Sequence, residues 1–174
     1  MTQLMQRFTA RAESFIDMTG RAVSWIALVM IGLVALNVVL RYTLSFGSVW
    51  AQELEWHLLA ALILFGMSFA LQRGDNVRVD LFYAHYSPRL KYLVDVVAAL
   101  LTIAVAMLLV YLSIAYVLQS YSIQEGSPDP GGIPLRWIVK ALIPAGYGLV
   151  AIQQLAHLMQ LIVTQHGKKE VASV

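Results

Sequence analysis

The sequence predicts an all-α membrane protein with four transmembrane helices, and two observations lead to this fold class. Only 13% of its 174 residues are charged, against roughly 25% in soluble domains, so the charged side chains are too few to cover a water-facing surface. Four long segments contain no Asp, Glu, Lys or Arg: residues 22–40, 56–72, 96–124 and 141–165. Each approaches or exceeds the about 20 residues that a helix needs to cross a bilayer. We therefore expect one four-helix membrane domain over residues 1–174.

The N-terminal segment has a different pattern from the four spans. Its apolar residues recur three or four positions apart, with charged residues between them: Leu4, Met5, Phe8, Ala12, Phe15 and Ile16. This pattern predicts an amphipathic helix over about residues 3–20 that lies at the membrane interface.

The four spans are predicted at about residues 22–43, 52–72, 88–119 and 134–164. Ser87-Pro88 is an N-cap followed by proline at the first helical position, so the third span is expected to begin at Pro88. Pro144 is expected to kink the fourth span, because proline removes a hydrogen bond from the helix interior.

The distribution of Lys and Arg predicts that both termini lie in the cytoplasm. Nine of these residues precede the first span, separate the second span from the third, or follow the fourth, and three lie on the opposite side. Cytoplasmic loops are enriched in Lys and Arg. Residues 45–51 and about 120–135 are then expected to face outward.

Composition excludes several kinds of chemistry. The chain has no cysteine, so disulfides, iron–sulfur clusters and thiol nucleophiles are excluded, and the net charge of +2 is too small to indicate nucleic-acid binding. We expect no enzyme activity and no cofactor. A haem- or quinone-associated membrane anchor of a respiratory enzyme is the alternative, although His57 and His157 are expected near opposite faces of the bilayer. Because the spans are nearly free of ionisable residues, a scaffold or accessory subunit is favoured over a transporter that works alone.

Charged and aromatic residues cluster at the outer ends of the first two spans. The short loop between these spans makes them antiparallel neighbours, so Arg41 is expected to pair with Glu53 or Glu55. Trp50 and Trp56 suit an interfacial belt. The alternative is that these residues only anchor the chain in the interface.

Two small residues, Gly66 and Ala70, lie four positions apart on the second span. This spacing predicts close helix packing, either inside the chain or with a partner.

Three stretches resemble the small membrane subunit (DctQ-like) of tripartite ATP-independent periplasmic (TRAP) transporters. Arg41-Tyr42 with residues 50–56 resembles its first outer loop. Residues 66–80, which include Arg73 and Asp80, resemble the end of its second helix, with Asn76 where the family usually has His. Residues 133–146 resemble the start of its fourth helix. The resemblance covers about residues 15–165.

The resemblance implies a division of labour in the bacterial inner membrane. A large membrane subunit carries the substrate and sodium sites and moves as an elevator, and a periplasmic solute-binding protein delivers the solute, often an organic acid. This chain would be the scaffold beside the large subunit and would also contact membrane lipids. Arg73 and Asp80 are candidates for the partner interface or for interfacial ion pairs.

The second outer loop is a candidate docking surface for the binding protein. It carries Gln124, Glu125 and Asp129, and its prolines restrict its backbone. The alternative is ordinary turn chemistry, since Asp129 precedes a proline and a Gly-Gly pair.

Overall fold

The computed structural model describes residues 2–75 and 83–171, with side chains for residues 3–75 and 83–165. These residues form four helices: α1 (Thr2–Leu44), α2 (Val49–Arg73), α3 (Pro88–Ser122) and α4 (Trp137–Val171). All four are long and apolar enough to cross a membrane, and the described ranges contain no strand. The all-α membrane fold class is confirmed.

Helix α1 is continuous, so the expected division into an interfacial helix at 3–20 and a separate span from 22 is wrong. No proline interrupts its 43 residues. Its buried positions follow one unbroken stripe at spacings of three and four: Thr9, Ala12, Ile16, Gly20 and Val23. At 1.5 Å per residue, the helix is about 64 Å long, which is roughly twice the hydrocarbon thickness of a bilayer.

The predicted apolar stripe of the N-terminal segment is divided between two environments. Ala12 and Ile16 are buried in the bundle, whereas Leu4, Phe8 and Phe15 remain exposed. Part of the stripe therefore serves packing inside the chain. Contact of the exposed part with a membrane interface stays a prediction.

Local capping residues explain where α2 begins and ends and where α3 begins. The hydroxyls of Ser48 and Ser87 accept hydrogen bonds from the backbone N–H groups at Ala51 and Leu90, which satisfies donors at each helix N-terminus. Helix α3 begins at Pro88, as the Ser-Pro pair predicts. Helix α2 ends at Arg73 and is capped by Gly74, whose φ of 72° suits a residue without a side chain.

Helix α4 begins at Trp137, later than the expected start at 134. Leu135 has a φ of 68°, which no residue inside a right-handed helix adopts. Pro144 lies within α4, so the helix continues past it.

Helices α1, α2 and α4 contact one another, whereas α3 packs mainly against α4. The buried residues of α3 are small and recur every seventh position: Ala99, Ala106, Ser113 and Ser120. A seven-residue repeat keeps one stripe facing a neighbouring helix, and small side chains allow close approach. Helix α3 therefore lies at the edge of the bundle, and its other faces expose large apolar side chains such as Leu101, Leu108 and Tyr111.

Two glycines mark the closest helix contacts, and neither is the predicted Gly66. A Cβ atom at Gly146 of α4 would lie 2.7 Å from the Cβ atom and 2.8 Å from the backbone oxygen of Leu64 on α2. A Cβ atom at Gly20 of α1 would overlap the ring of Phe69. A Cβ atom at Gly66 would meet only Val23 Cγ1, at an ordinary 3.9 Å.

Candidate functional site

A buried carboxylate on α2 binds the loop between α3 and α4. The side chain of Glu53 lies in the second turn of α2, and the residue is only 4% exposed. Its carboxylate accepts a hydrogen bond from the hydroxyl of Ser127 and another from the backbone N–H of Ile133 at 2.5 Å. A Cβ atom at Gly132 would lie 2.7 Å from Oε2 of Glu53, so the backbone approaches closely there. We call these four residues the Glu53 clasp.

A second set of contacts closes the base of the same loop. The backbone N–H of Arg136 donates to the carbonyl of Glu125 at 2.9 Å, and the carboxylate of Glu125 pairs with Lys140 on α4. Lys140 is 13% exposed at its side chain, and its Nζ atom lies 4.0 Å from the ring centroid of Tyr116. The ammonium of Lys140, which donates to this carboxylate, holds the pKa of Glu125 below its usual 4.5.

The loop crest, residues 128–131, is exposed along its whole length. The backbone N–H of Asp129 donates to the hydroxyl of Ser127 at 3.1 Å, while the Asp129 carboxylate has no partner among the residues that the structure describes. Gln124 donates from its amide to the carbonyl of Tyr121 at 2.9 Å. Of the three candidate docking residues, Asp129 alone offers an unpaired charge.

The expected ion pair of Arg41 with Glu53 or Glu55 is wrong. Oε1 of Glu55 accepts a hydrogen bond from the amide of Asn37 on α1 at 3.1 Å, and Glu53 binds the loop instead. Arg41 is exposed and makes no ion pair within the described part of the chain. Residues two apart on a helix point about 200° apart, so the two carboxylates face different elements.

Asn37 is a contact residue that the sequence reasoning missed. The only signal for it is that residues 22–40 contain just two clearly polar side chains, Asn37 and Ser24. Trp50 and Trp56 are 49% and 65% exposed, and their placement in an interfacial belt stays a prediction.

The opposite end of the bundle joins α1 to α2 and α4 through polar side chains. Asp17 accepts hydrogen bonds from Arg21 at 2.7 Å and from Arg73 at 3.0 Å, and the guanidinium carbon of Arg73 lies 4.9 Å from the ring centroid of Phe69. The amide of Gln160 on α4 donates to the carboxylate of Glu13. Among the predicted interface residues, Arg73 is thus engaged inside the chain, and Asp80 lies outside the described residues.

The described residues bring no three His, Asp or Glu side chains into an arrangement that could hold a metal ion. His57 donates from Nδ1 to the carbonyl of Glu53 at 2.6 Å, so it is bonded within its own helix. The arrangement of the described polar groups joins helices and loops to one another at the two ends of the bundle.

Residues 30–164 match the family of tripartite ATP-independent periplasmic transporters, DctQ component. The matched range covers more than three quarters of the chain and includes all four residues of the Glu53 clasp. No curated protein matches the chain. The family is a transporter component and not an enzyme family. The chain therefore belongs to the DctQ family, as a small membrane subunit of a TRAP transporter and a multi-pass protein of the inner membrane.

Proposed function

We propose that this chain is the scaffold that packs beside the large membrane subunit during sodium-driven, binding-protein-dependent uptake of an organic acid. The observation that carries this proposal is the placement of its polar groups. The four segments 22–40, 56–72, 96–124 and 141–165 contain no Asp, Glu, Lys or Arg, so the middle of the bundle has no carboxylate, ammonium or guanidinium groups. Ion-coupled transport uses polar sites near the membrane midplane, so the coupled step belongs to the large subunit.

The outer faces of the bundle supply the scaffold surface. Helix α3 contacts mainly α4, and α1 exposes large apolar residues such as Trp25, Leu28 and Ile31. In a bilayer, such faces contact lipid tails or another helix. Contact with the large subunit along one of them and with lipid along the other fits a scaffold role.

The orientation follows from the distribution of Lys and Arg, which favours cytoplasmic termini. The α3–α4 loop then faces the periplasm, where the solute-binding protein approaches. We infer that this loop contributes to docking, with Asp129 as its charged contact, because Gln124 and Glu125 are bonded inside the loop. An exposed acidic residue mainly accelerates association, and its effect weakens as salt rises.

Reconstitution tests the scaffold function directly. Proteoliposomes would contain the large subunit alone, this chain alone, or both, with the binding protein and a labelled organic acid outside and an inward sodium gradient. We expect uptake only when both membrane subunits and the binding protein are present, and loss of uptake when the sodium gradient is collapsed. Uptake by this chain alone, or full uptake without it, would contradict the proposal.

A further inference from the structure

The α3–α4 loop has more ties to the bundle than a connection between two adjacent helices needs. One tie closes its base, through the backbone bond from Arg136 to Glu125 and the pair of Glu125 with Lys140. The other tie, the Glu53 clasp, reaches across to α2, which is not one of the helices that the loop connects. Compact surface loops with close ends are frequently functional.

Both carboxylate oxygens of Glu53 accept hydrogen bonds within the clasp. Oε1 binds the hydroxyl of Ser127 and Oε2 binds the N–H of Ile133, so one buried side chain holds a point on each side of the crest. Removing the carboxylate would leave both donors without their acceptor. An unsatisfied donor that is partly shielded from water destabilises the conformation that contains it.

The backbone of the crest has little freedom once its two sides are held. Pro128 and Pro130 fix φ at two of its four positions, and Gly131 has a φ of 82°. Gln124 and Leu135, near the two ends of the loop, also have positive φ values of 48° and 68°. Non-glycine residues keep such values only where the surrounding contacts enforce them.

We propose that Glu53 is a positioning residue that holds the loop crest in the conformation to which the solute-binding protein docks. The proposal rests on the docking function proposed above for this loop. Order imposed before the encounter lowers the conformational entropy that docking would otherwise remove. Glu53 thereby affects the affinity for the binding protein without contacting it.

The test compares Glu53→Ala with Glu55→Ala in the assembled transporter. The control removes a second carboxylate from the same part of α2, and Glu55 contacts Asn37 on α1 rather than the loop. Three quantities are measured: hydrogen exchange over residues 123–136, the binding-protein concentration that gives half-maximal uptake, and the maximal uptake rate.

For Glu53→Ala, we expect loop exchange to accelerate by about 10-fold or more. The half-saturating concentration should rise by roughly 3- to 10-fold, with the maximal rate unchanged, because only docking is weakened. Glu55→Ala should leave the loop exchange and the half-saturating concentration unchanged. Glu53→Gln keeps an oxygen for the Ile133 N–H and should give an intermediate value. Ser127→Ala removes one donor and serves as a milder variant where Glu53→Ala lowers the yield of the complex.

Different outcomes separate failure of this proposal from failure of the docking function. Unchanged loop exchange in Glu53→Ala and Ser127→Ala would overturn the positioning role. Accelerated exchange with an unchanged half-saturating concentration would also overturn it. If Asp129→Lys then also leaves the half-saturating concentration unchanged at low salt, the proposed docking by the loop is refuted as well. A raised half-saturating concentration in Asp129→Lys would support docking by the loop and refute only the positioning role of Glu53.

Discussion

Replacing Gly146 with alanine should separate α2 from α4 and destabilise the bundle. The new methyl carbon would lie 2.7 Å from Leu64 Cβ, 2.8 Å from Leu64 O and 3.0 Å from Leu64 C. Favourable contacts between carbons lie at about 3.5–4.0 Å, so the helices would have to move apart by roughly 0.8 Å at this point. Two of the three obstructing atoms belong to the backbone, which no rotamer change can displace. Overpacking of this kind costs about 1–3 kcal/mol.

Gly148→Ala is the matched control for this substitution. It lies two residues further along α4, and a Cβ atom there would meet nothing within 4 Å. Both substitutions gain the same helix propensity, about 0.8–1.0 kcal/mol for alanine over glycine. Their difference in stability therefore isolates the contact with Leu64. Gly66→Ala, with only Val23 at 3.9 Å, should behave like the control.

Thermal unfolding of the purified subunit in detergent or lipid nanodiscs measures this difference. We expect Gly146→Ala to melt about 2–12 °C below Gly148→Ala, because 1 kcal/mol shifts the midpoint of a chain of this size by roughly 2–4 °C. Equal midpoints for the two variants would refute the close approach of α2 and α4 at Leu64. A lower midpoint for Gly66→Ala than for Gly146→Ala would instead support the packing first expected from the sequence.

Three further predictions concern charge and orientation. Lys140→Ala should lower the melting temperature of the subunit more than Arg41→Ala, because Lys140 is paired and only 13% exposed at its side chain while Arg41 is exposed; equal midpoints would contradict the pairing. The lowered pKa of Glu125 means that its pair stabilises the protein above the ordinary carboxyl pKa and is lost as pH falls through the lowered value. The difference in melting temperature between the wild type and Glu125→Gln should thus stay constant above about pH 5 and shrink in more acidic buffer. In intact cells, Gly47→Cys should react with a membrane-impermeant thiol reagent and Asp75→Cys should not, and the reverse pattern would refute the proposed orientation.

The parts of the fold that could be predicted are those that the bilayer or a few neighbouring residues determine. Hydrocarbon excludes charge, so the four uncharged segments reveal the spans wherever the helices later pack. Ser87-Pro88 predicts the start of α3 because an N-cap acts on its own first turn. The continuity of α1 was missed because a change in amphipathic pattern was interpreted as a break, although the segment contains no proline and a single glycine, Gly20, is tolerated inside a helix.

The partners of individual polar residues could not be predicted in the same way. Arg41, Glu53 and Glu55 lie near one another in the sequence, which favoured an ion pair among them. Their partners depend on how α1 and α2 are rotated about their axes. They also depend on the α3–α4 loop, which contacts Glu53 although it lies about 75 residues further along the sequence. Spacing within one helix also could not show that Gly146, rather than Gly66, meets a neighbouring backbone.

The two carboxylates of α2 make different connections at the same end of the bundle. Glu55 bonds Asn37 and joins α2 to α1, whereas Glu53 bonds the loop that follows α3. Because α3 contacts mainly α4, its own packing gives this loop no direct tie to α1 or α2. Glu53 therefore adds a tie to α2 to the tie that Glu125 and Lys140 make with α4, on the side that the charge distribution favours as periplasmic. In the proposed scaffold, which presents this loop to a soluble partner, the tie to α2 limits how far movement of α3 at the edge displaces the loop.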